Sequence, residues 1–449
     1  MLPFVLKRLG LDRKILRSWA MYDWANSAYQ TTIVAAVFPI YFGKVASAGQ
    51  DPNIAMSRFA TSKTVAILLT AVLAPALGAL ADARPLKKKL LGVFVGIGVG
   101  ATAAMYWIQG GDWQLAVTLS IISSVAVAGS IVFYESLLPH IASREEVDRV
   151  STAGYALGYV GGGLLLAINL AMIQHPAWFH LADSGMAVRL SFVSVAVWWL
   201  VFSIPMFRDV PEPAIRQGVV SHSAMAAVLD SARQLVRTFH ELRKFKHALL
   251  FLVAFFIYND GIQTIITMAA YYGSNIGIDS SALITALLIT QFVGIPCSFL
   301  FGMLADRIGA RAGVFIGLTV YLVITVYAFW LQTAFQFFVL AISVGVVQGG
   351  TQALSRSMFS NMVPRSKSSE FFAFFSVFER YASLLGPALF AWAAARGNSR
   401  FAILSLVVFF IVGMLLLSRV DVAAGQKAAN DADAQEPVPG LSQSDRLLL

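Results

Sequence analysis

Between residues 19 and 419 the chain alternates long apolar runs with short polar breaks, and the spacing of those runs predicts its architecture. Twelve runs stand out, near 19–43, 60–81, 89–108, 114–137, 150–173, 187–207, 248–272, 280–304, 312–331, 334–358, 370–395 and 399–419. Each approaches or exceeds the ~20 apolar residues that an α-helix needs to cross a bilayer. The expected fold is an all-α membrane protein of twelve transmembrane helices in two pseudo-symmetric six-helix bundles.

The breaks divide the chain. The longest polar connection, 208–247, opens "RDVPEP" and continues "MAAVLDSARQLVRTFHELRKF". Its apolar and basic residues recur at helical spacing, which predicts a cytoplasmic linker carrying one amphipathic surface helix. The expected units are an N-terminal bundle over 1–207 with an amphipathic leader, the linker, a C-terminal bundle over 248–420, and a polar tail over 421–449. That tail, rich in Ala, Gln, Asp and Pro, has the composition of disorder. The opening "MLPFVLKRLGLDRKILRSWA" has charges where a secretory signal needs its apolar core, so no cleaved signal is expected.

The halves repeat in register. "GALADARPLKKK" from Gly78 pairs with "GMLADRIGAR" from Gly302, "LLP" ending at Pro139 with "MVP" ending at Pro364, and "NSAYQTTI" from Asn26 with "NDGIQTII" from Asn259. Both copies enter from the same side, so this is a parallel repeat, an arrangement that places solute sites near the midplane between halves.

Composition agrees with lipid as solvent. The chain is 58% hydrophobic and 13% charged, against about 45–50% and about 25% for a soluble domain. Net charge +9 reflects orientation rather than nucleic-acid binding. With the N-terminus inside, cytoplasmic loops hold about 25 of the 33 Lys and Arg, and the opposite loops about six. The positive-inside rule then places both termini in the cytoplasm, and a bacterial inner membrane is the expected location. The basic loops would meet anionic lipid. Cys297 is the single cysteine and has no partner for an intrachain disulfide.

Several motifs carry a family resemblance. The loops after the second and eighth helices resemble the G-x-L-x-D-R-x-G-R-[KR] signature of the major facilitator superfamily. The second copy is complete through Gly302, Asp306, Arg307, Gly309 and Arg311; the first keeps Gly78, Asp82 and Arg84 but has Ala83 and Pro85 where Arg and Gly are usual. The resemblance implies gating roles for these residues, latching the cytoplasmic side. More narrowly, "WAMYDWANSAY", "FYESLLPHIA", "STAGYALGYVGGG", "YNDGIQT" and "GGTQALSRSMFSNMVP" are together similar to the vacuole-effluxer (UMF) family of that superfamily. The resemblance implies the major facilitator fold, with the first, fourth, seventh and tenth helices lining a central cavity. It also implies a monomer as the default state, and an association of the fungal members with amino-acid efflux.

Polar residues inside the apolar runs are the candidate chemistry, because a charge at the bilayer centre costs at least ~2.5–3.5 kcal/mol without a partner. Asp23, Asn26 and Gln30 fall on one face of the first helix. Asn259, Asp260 and Gln263 sit mid-way along the seventh, Gln348, Gln352 and Arg356 form a stripe on the tenth, and Glu379 lies in the eleventh. The plain reading is buried interhelical hydrogen bonding. The functional one makes Asp260 a proton or ammonium site and Arg356 a carboxylate clamp, although Arg356 could equally pair with Glu379 or Glu135 as a gate. The glycines at 158 and 161–163 lie within an apolar helix and read as close-packing points, not a phosphate cradle.

No P-loop, HExxH or CxxC pattern is present, and none of the six histidines lies clearly within an apolar run. The expectation is a non-enzymatic secondary transporter of a small polar solute, an amino acid or related zwitterion favoured, working by alternating access. It needs no cofactor or metal, with proton coupling open, and its partners are the solute and membrane lipid. The alternatives are a transporter of a larger amphiphile, such as a peptidoglycan fragment or lysolipid, and a non-transporting receptor.

Overall fold

The computed structural model describes residues 11–83, 86–142, 147–213, 239–364, 382–396 and 399–435, with positions 233, 237, 371, 375 and 378. Every expected apolar run coincides with a helix, the run 370–395 being described only in part. The first, α1, comprises Lys14–Tyr29, a π-helical stretch Gln30–Ala36, Val37–Tyr41 and a second π stretch Phe42–Ala46. Pro39 lies between the two wide stretches; it has no N–H for the Ala35 carbonyl, and a widened turn absorbs the misfit. There follow α2 (Pro52–Ala83), α3 (Lys87–Ala104), α4 (Trp113–Ile141), α5 (Val147–Gln174) and α6 (Ser184–Asp209). The second half runs α7 (Lys246–Asn275), α8 (Ser280–Ile308), α9 (Ala310–Ala328), α10 (Ala334–Asn361), α11 (Leu385–Ala395) and α12 (Ser399–Ser405 with Val407–Ser418).

At the end of the molecule away from the chain termini, the distal end, α2, α6, α8 and α10 are begun by side-chain caps, whereas Asp112 ahead of α4 makes no such bond. Asp51, Asp183 and Asp279 each accept amide N–H bonds from the first turn of α2, α6 and α8, and Thr333 forms a capping box with Gln336 on α10. These satisfy amides that have no intrahelical partner. At the opposite end Lys14 and Ser18 of α1 both donate to Asp209 at the end of α6, at 2.6 and 2.7 Å. Glu212 accepts from the Lys87 and Lys88 amides, so the start of the linker caps α3.

In the first bundle α1 packs on α5 and α6, α4 on α2 and α3, and α3 on α6; in the second α10 packs on α8 and α9, and α12 on α7 and α9. Gly162 of α5 shows why the α1–α5 contact is tight. Its carbonyl accepts from Thr31 at 3.1 Å, and a Cβ there would lie 2.8 Å from the Ser27 carbonyl oxygen. Among the described residues the bundles meet chiefly along α2 with α11, α5 with α8, and α7 with the Gln30–Ala46 part of α1.

One expectation is corrected. The stretch 421–449, expected to be disordered, begins with a helix, α13 (Val422–Gln435). Asp421 caps it by accepting from Ala424, its own amide donates to His247 at the start of α7, and Ala429 is buried. Small residues let this polar segment lie against Met362 where composition alone reads as disorder. Of the expected linker helix, 233, 237 and 239–242 are described, and they are helical. Residues 1–10 and 436–449 lie outside the described residues.

Candidate functional site

The seventh helix carries its polar cluster to a break in the eleventh. Ahead of α11, Ser383 has φ 155°, and the helix restarts at Leu385. Asp260 meets that restart: Oδ1 accepts from the Gly386 amide at 2.7 Å and Oδ2 from the Leu385 amide at 2.8 Å. A half-helix beginning inside a membrane needs such an acceptor, since no water is there to serve and its N-terminus is electropositive. Asp260 is fully buried, so it is not an open carboxylate facing a cavity. Its neighbour Asn259 is 1% exposed, and among the described residues neither side-chain atom of its amide has a hydrogen-bond partner. Gln263 is half-buried, and its carbonyl accepts from Thr267.

The polar face of α1 is divided. Asp23 is half-buried and accepts from the Tyr134 hydroxyl of α4 at 2.8 Å. Asn26 is buried and turns back to the Tyr22 carbonyl, whereas Gln30 is exposed. On α10, Gln348 lines a cleft of about 90 Å³ together with Gln291, Thr290, Thr31 and an apolar wall that includes Ile265 and Phe337. Gln352 is half-buried and Arg356 exposed, both further towards the terminal end of α10. Among the described candidates, only Gln348 lines this cleft.

Of the gating residues, Arg311 donates to the Ser418 carbonyl at 2.6 Å, tying the start of α9 to the end of α12. Gly309 has φ 86°, a conformation that favours glycine, and Arg307 is exposed. Gly78, Asp82, Gly302 and Asp306 lie on helices, but their side chains fall outside the described residues, as do Arg84 and Glu379 entirely.

Sequence reasoning passed over two features. The first is the distal closure between bundles: Tyr271 of α7 stacks on Phe59 of α2 at 5.1 Å and lies 6.0 Å from Phe42 of α1, while Lys44 donates to Ser280 at 3.0 Å. The second is a hydroxyl-rich seam inside the first bundle. Tyr22 meets Ser130, Tyr29 meets Ser123, both at 2.7 Å, and Lys63 of α2 reaches Ser120 of α4 at 3.3 Å. The signal for Lys63 was present: it is the one cation within the 60–81 run.

Residues 11–430 match the family described as "Vacuole effluxer Atg22 like". The chain belongs to that family. It is 37% identical over 407 residues to the uncharacterized MFS-type transporter YxiO of Bacillus subtilis (strain 168), covering 90% of this chain and 94% of that protein. It is 28% identical over 319 residues to Autophagy-related protein 22 of Yarrowia lipolytica, covering 64% of this chain and 53% of that one. Among solved structures, the nucleoside transporter NupG aligns with TM-score 0.61 at 14% identity, over 94% of this chain and 99% of the other. A bacterial homologue of the human lysosomal transporter Spinster aligns with TM-score 0.61 at 16% identity, over 95% and 98%. The vacuole-effluxer chain thus has the major facilitator fold and is an MFS-type transporter, multi-pass in the membrane.

Proposed function

We propose that this protein moves a small polar solute, an amino acid or related zwitterion favoured, across a bacterial inner membrane by alternating access, both termini facing the cytoplasm. The observation that carries the reading is the distal closure, where Phe42 and Phe59 of one bundle hold Tyr271 of the other. Such a contact between rigid bundles is what a rocking transporter must make and break. The amides and hydroxyls of Gln291, Gln348, Thr31 and Thr290 beneath it suit a solute bearing both charges.

Counterflow with intact protein in liposomes, run across the twenty proteinogenic amino acids, tests this. Exchange of at least one supports the reading, and exchange of none overturns the substrate class. A second reading, transport of a larger amphiphile such as a peptidoglycan fragment or lysolipid, is favoured by the apolar wall of the same cleft. Exchange of such a fragment without exchange of any amino acid selects it.

A further inference from the structure

Lys63 has no role in the reading above, yet it is a cation buried within an apolar helix of the first bundle. It lies eleven residues into α2 and is 6% exposed. Its ammonium reaches Ser120 Oγ at 3.3 Å and lies 4.9 Å from the Phe59 ring centroid. Among the described residues no carboxylate lies within ion-pair distance of it. An ammonium carries three donors, and one long bond to a hydroxyl with one ring face does not replace the water given up. Lysines placed for anchoring alone run their stems out to the membrane surface, which this burial excludes. A buried cation is stabilised by an anion, and among the described residues none is supplied to Lys63.

The surroundings supply room for one. A cleft of about 160 Å³ opens between α2 and α4, lined by Ala66, Ile67 and Thr70 on one side and Ser124, Ala128 and Ile131 on the other. Lys63, Ile67 and Thr70 follow one face of α2, and Ser120, Ser124 and Ala128 one face of α4. The lining therefore begins one turn from Lys63 and Ser120, about 5.4 Å along each helix, within the swing of a four-carbon stem. The cleft carries the hydroxyls of Thr70 and Ser124 on its wall, and Lys63 and Ser120 stand one turn beyond its distal end, so the ammonium enters it by a rotation of the lysine side chain. The opposite end of the Lys63 turn is Phe59, which holds Tyr271 in the distal closure. An anion bound at Lys63 thus touches the element that closes the molecule.

We propose that Lys63, with Ser120, Ser124 and Thr70, forms a binding site for a carboxylate of the transported solute, in the cleft between α2 and α4. This rests on the transporter reading. The lysine neutralises one oxygen as a point charge, and the Ser120 and Ser124 hydroxyls donate to the other, while Thr70, whose proton goes to the Ala66 carbonyl, lines the wall. The site differs from the carboxylate clamp expected at Arg356, which lies in the other bundle.

The test uses full-length protein in liposomes and the amino-acid panel, adding for each exchanged member its carboxamide and its des-amino acid. The expected result is that the acid exchanges and the carboxamide does not. Lys63→Met should raise the half-saturating concentration at least about tenfold, while Lys63→Arg stays within about threefold. Ser120→Ala with Ser124→Ala, which leaves the cation in place, should raise it several-fold and so gives a second reading should Lys63→Met fail to fold. A carboxamide that exchanges as well as its acid, or Lys63→Met and the serine pair both unchanged while exchange persists, overturns the carboxylate site and leaves small-solute transport standing. Exchange of no panel member overturns both.

Discussion

Asp260 and Gly386 lie 126 residues apart and meet at 2.7 Å, carboxylate to amide, where the seventh helix crosses the restart of the eleventh. With Leu385 at 2.8 Å on the other oxygen, one side chain ends the exposure of two backbone donors. The acid is thus built into the backbone hydrogen bonding of the C-terminal bundle. Because α11 is also the helix that packs on α2, the cap sits at a seam between bundles.

Replacing Asp260 should therefore act first on stability. Asp260→Ala strands two buried donors, each worth about 1–3 kcal/mol unmet, whereas Asp260→Asn keeps one acceptor. Thermal unfolding in detergent micelles, followed by tryptophan fluorescence, should rank wild type above Asn and Asn above Ala. Ala equal to wild type would remove the capping role.

Gly386 makes a sharper case. A Cβ at this position would lie 2.6 Å from Asp260 Oδ1 and would clash with Thr264 Oγ1. Gly386→Ala should destabilise by about 1–3 kcal/mol, as overpacking does in cores. Thr264→Ala removes the obstructing hydroxyl, so the double variant should recover part of the loss. Additive effects in the thermal assay would contradict the crowding seen here.

The distal closure predicts a shift in populations. A stacked aromatic pair is worth about 0.5–1.5 kcal/mol beyond its buried area, so Phe59→Ala should favour the distally open state by roughly two- to tenfold. Ser274 of α7 is 8% exposed near that end. In a Cys297→Ser background, a Ser274→Cys reporter should react with a membrane-impermeant maleimide faster by that factor when Phe59 is replaced. An unchanged rate would mean that the ring contact does not hold the closure.

The helices were legible in the sequence because lipid forces long apolar runs, and eight described helices are long and apolar enough to cross a membrane. Partners were not legible. Asp260 reads as an anomaly in an apolar helix until α11, more than a hundred residues on, is seen to begin against it. Lys63 reads as one cation near the end of a run, and only the packing of α2 on α4 shows that it is buried, with Ser120 as its hydrogen-bond partner. Asp23 reads as part of a polar face of the first helix, but its partner, the Tyr134 hydroxyl, follows from how α1 sits against α4. Gln30, one turn beyond Asn26, keeps its α-helical bond to the Asn26 carbonyl yet is exposed, at the point where the π stretch begins.

The tail helix gives the last prediction, and the one on which composition misleads most. The segment is polar, yet Gly425 lies so close to Met362 that a Cβ would come within 2.8 Å of its Cγ, Ala429 is 3% exposed, and Asp421 joins the start of α7 through His247. A disordered tail can be removed without effect, whereas a docked helix covers surface that its removal exposes. Truncation after Asp421 should therefore lower the unfolding temperature and raise the amide exchange rate at 359–363, where the bond from the Met362 amide to the Phe359 carbonyl would lose its cover. Gly425→Leu in the full-length chain should reproduce part of both effects by pushing the helix off Met362. If truncation leaves temperature and exchange unchanged, α13 is not held on the bundle.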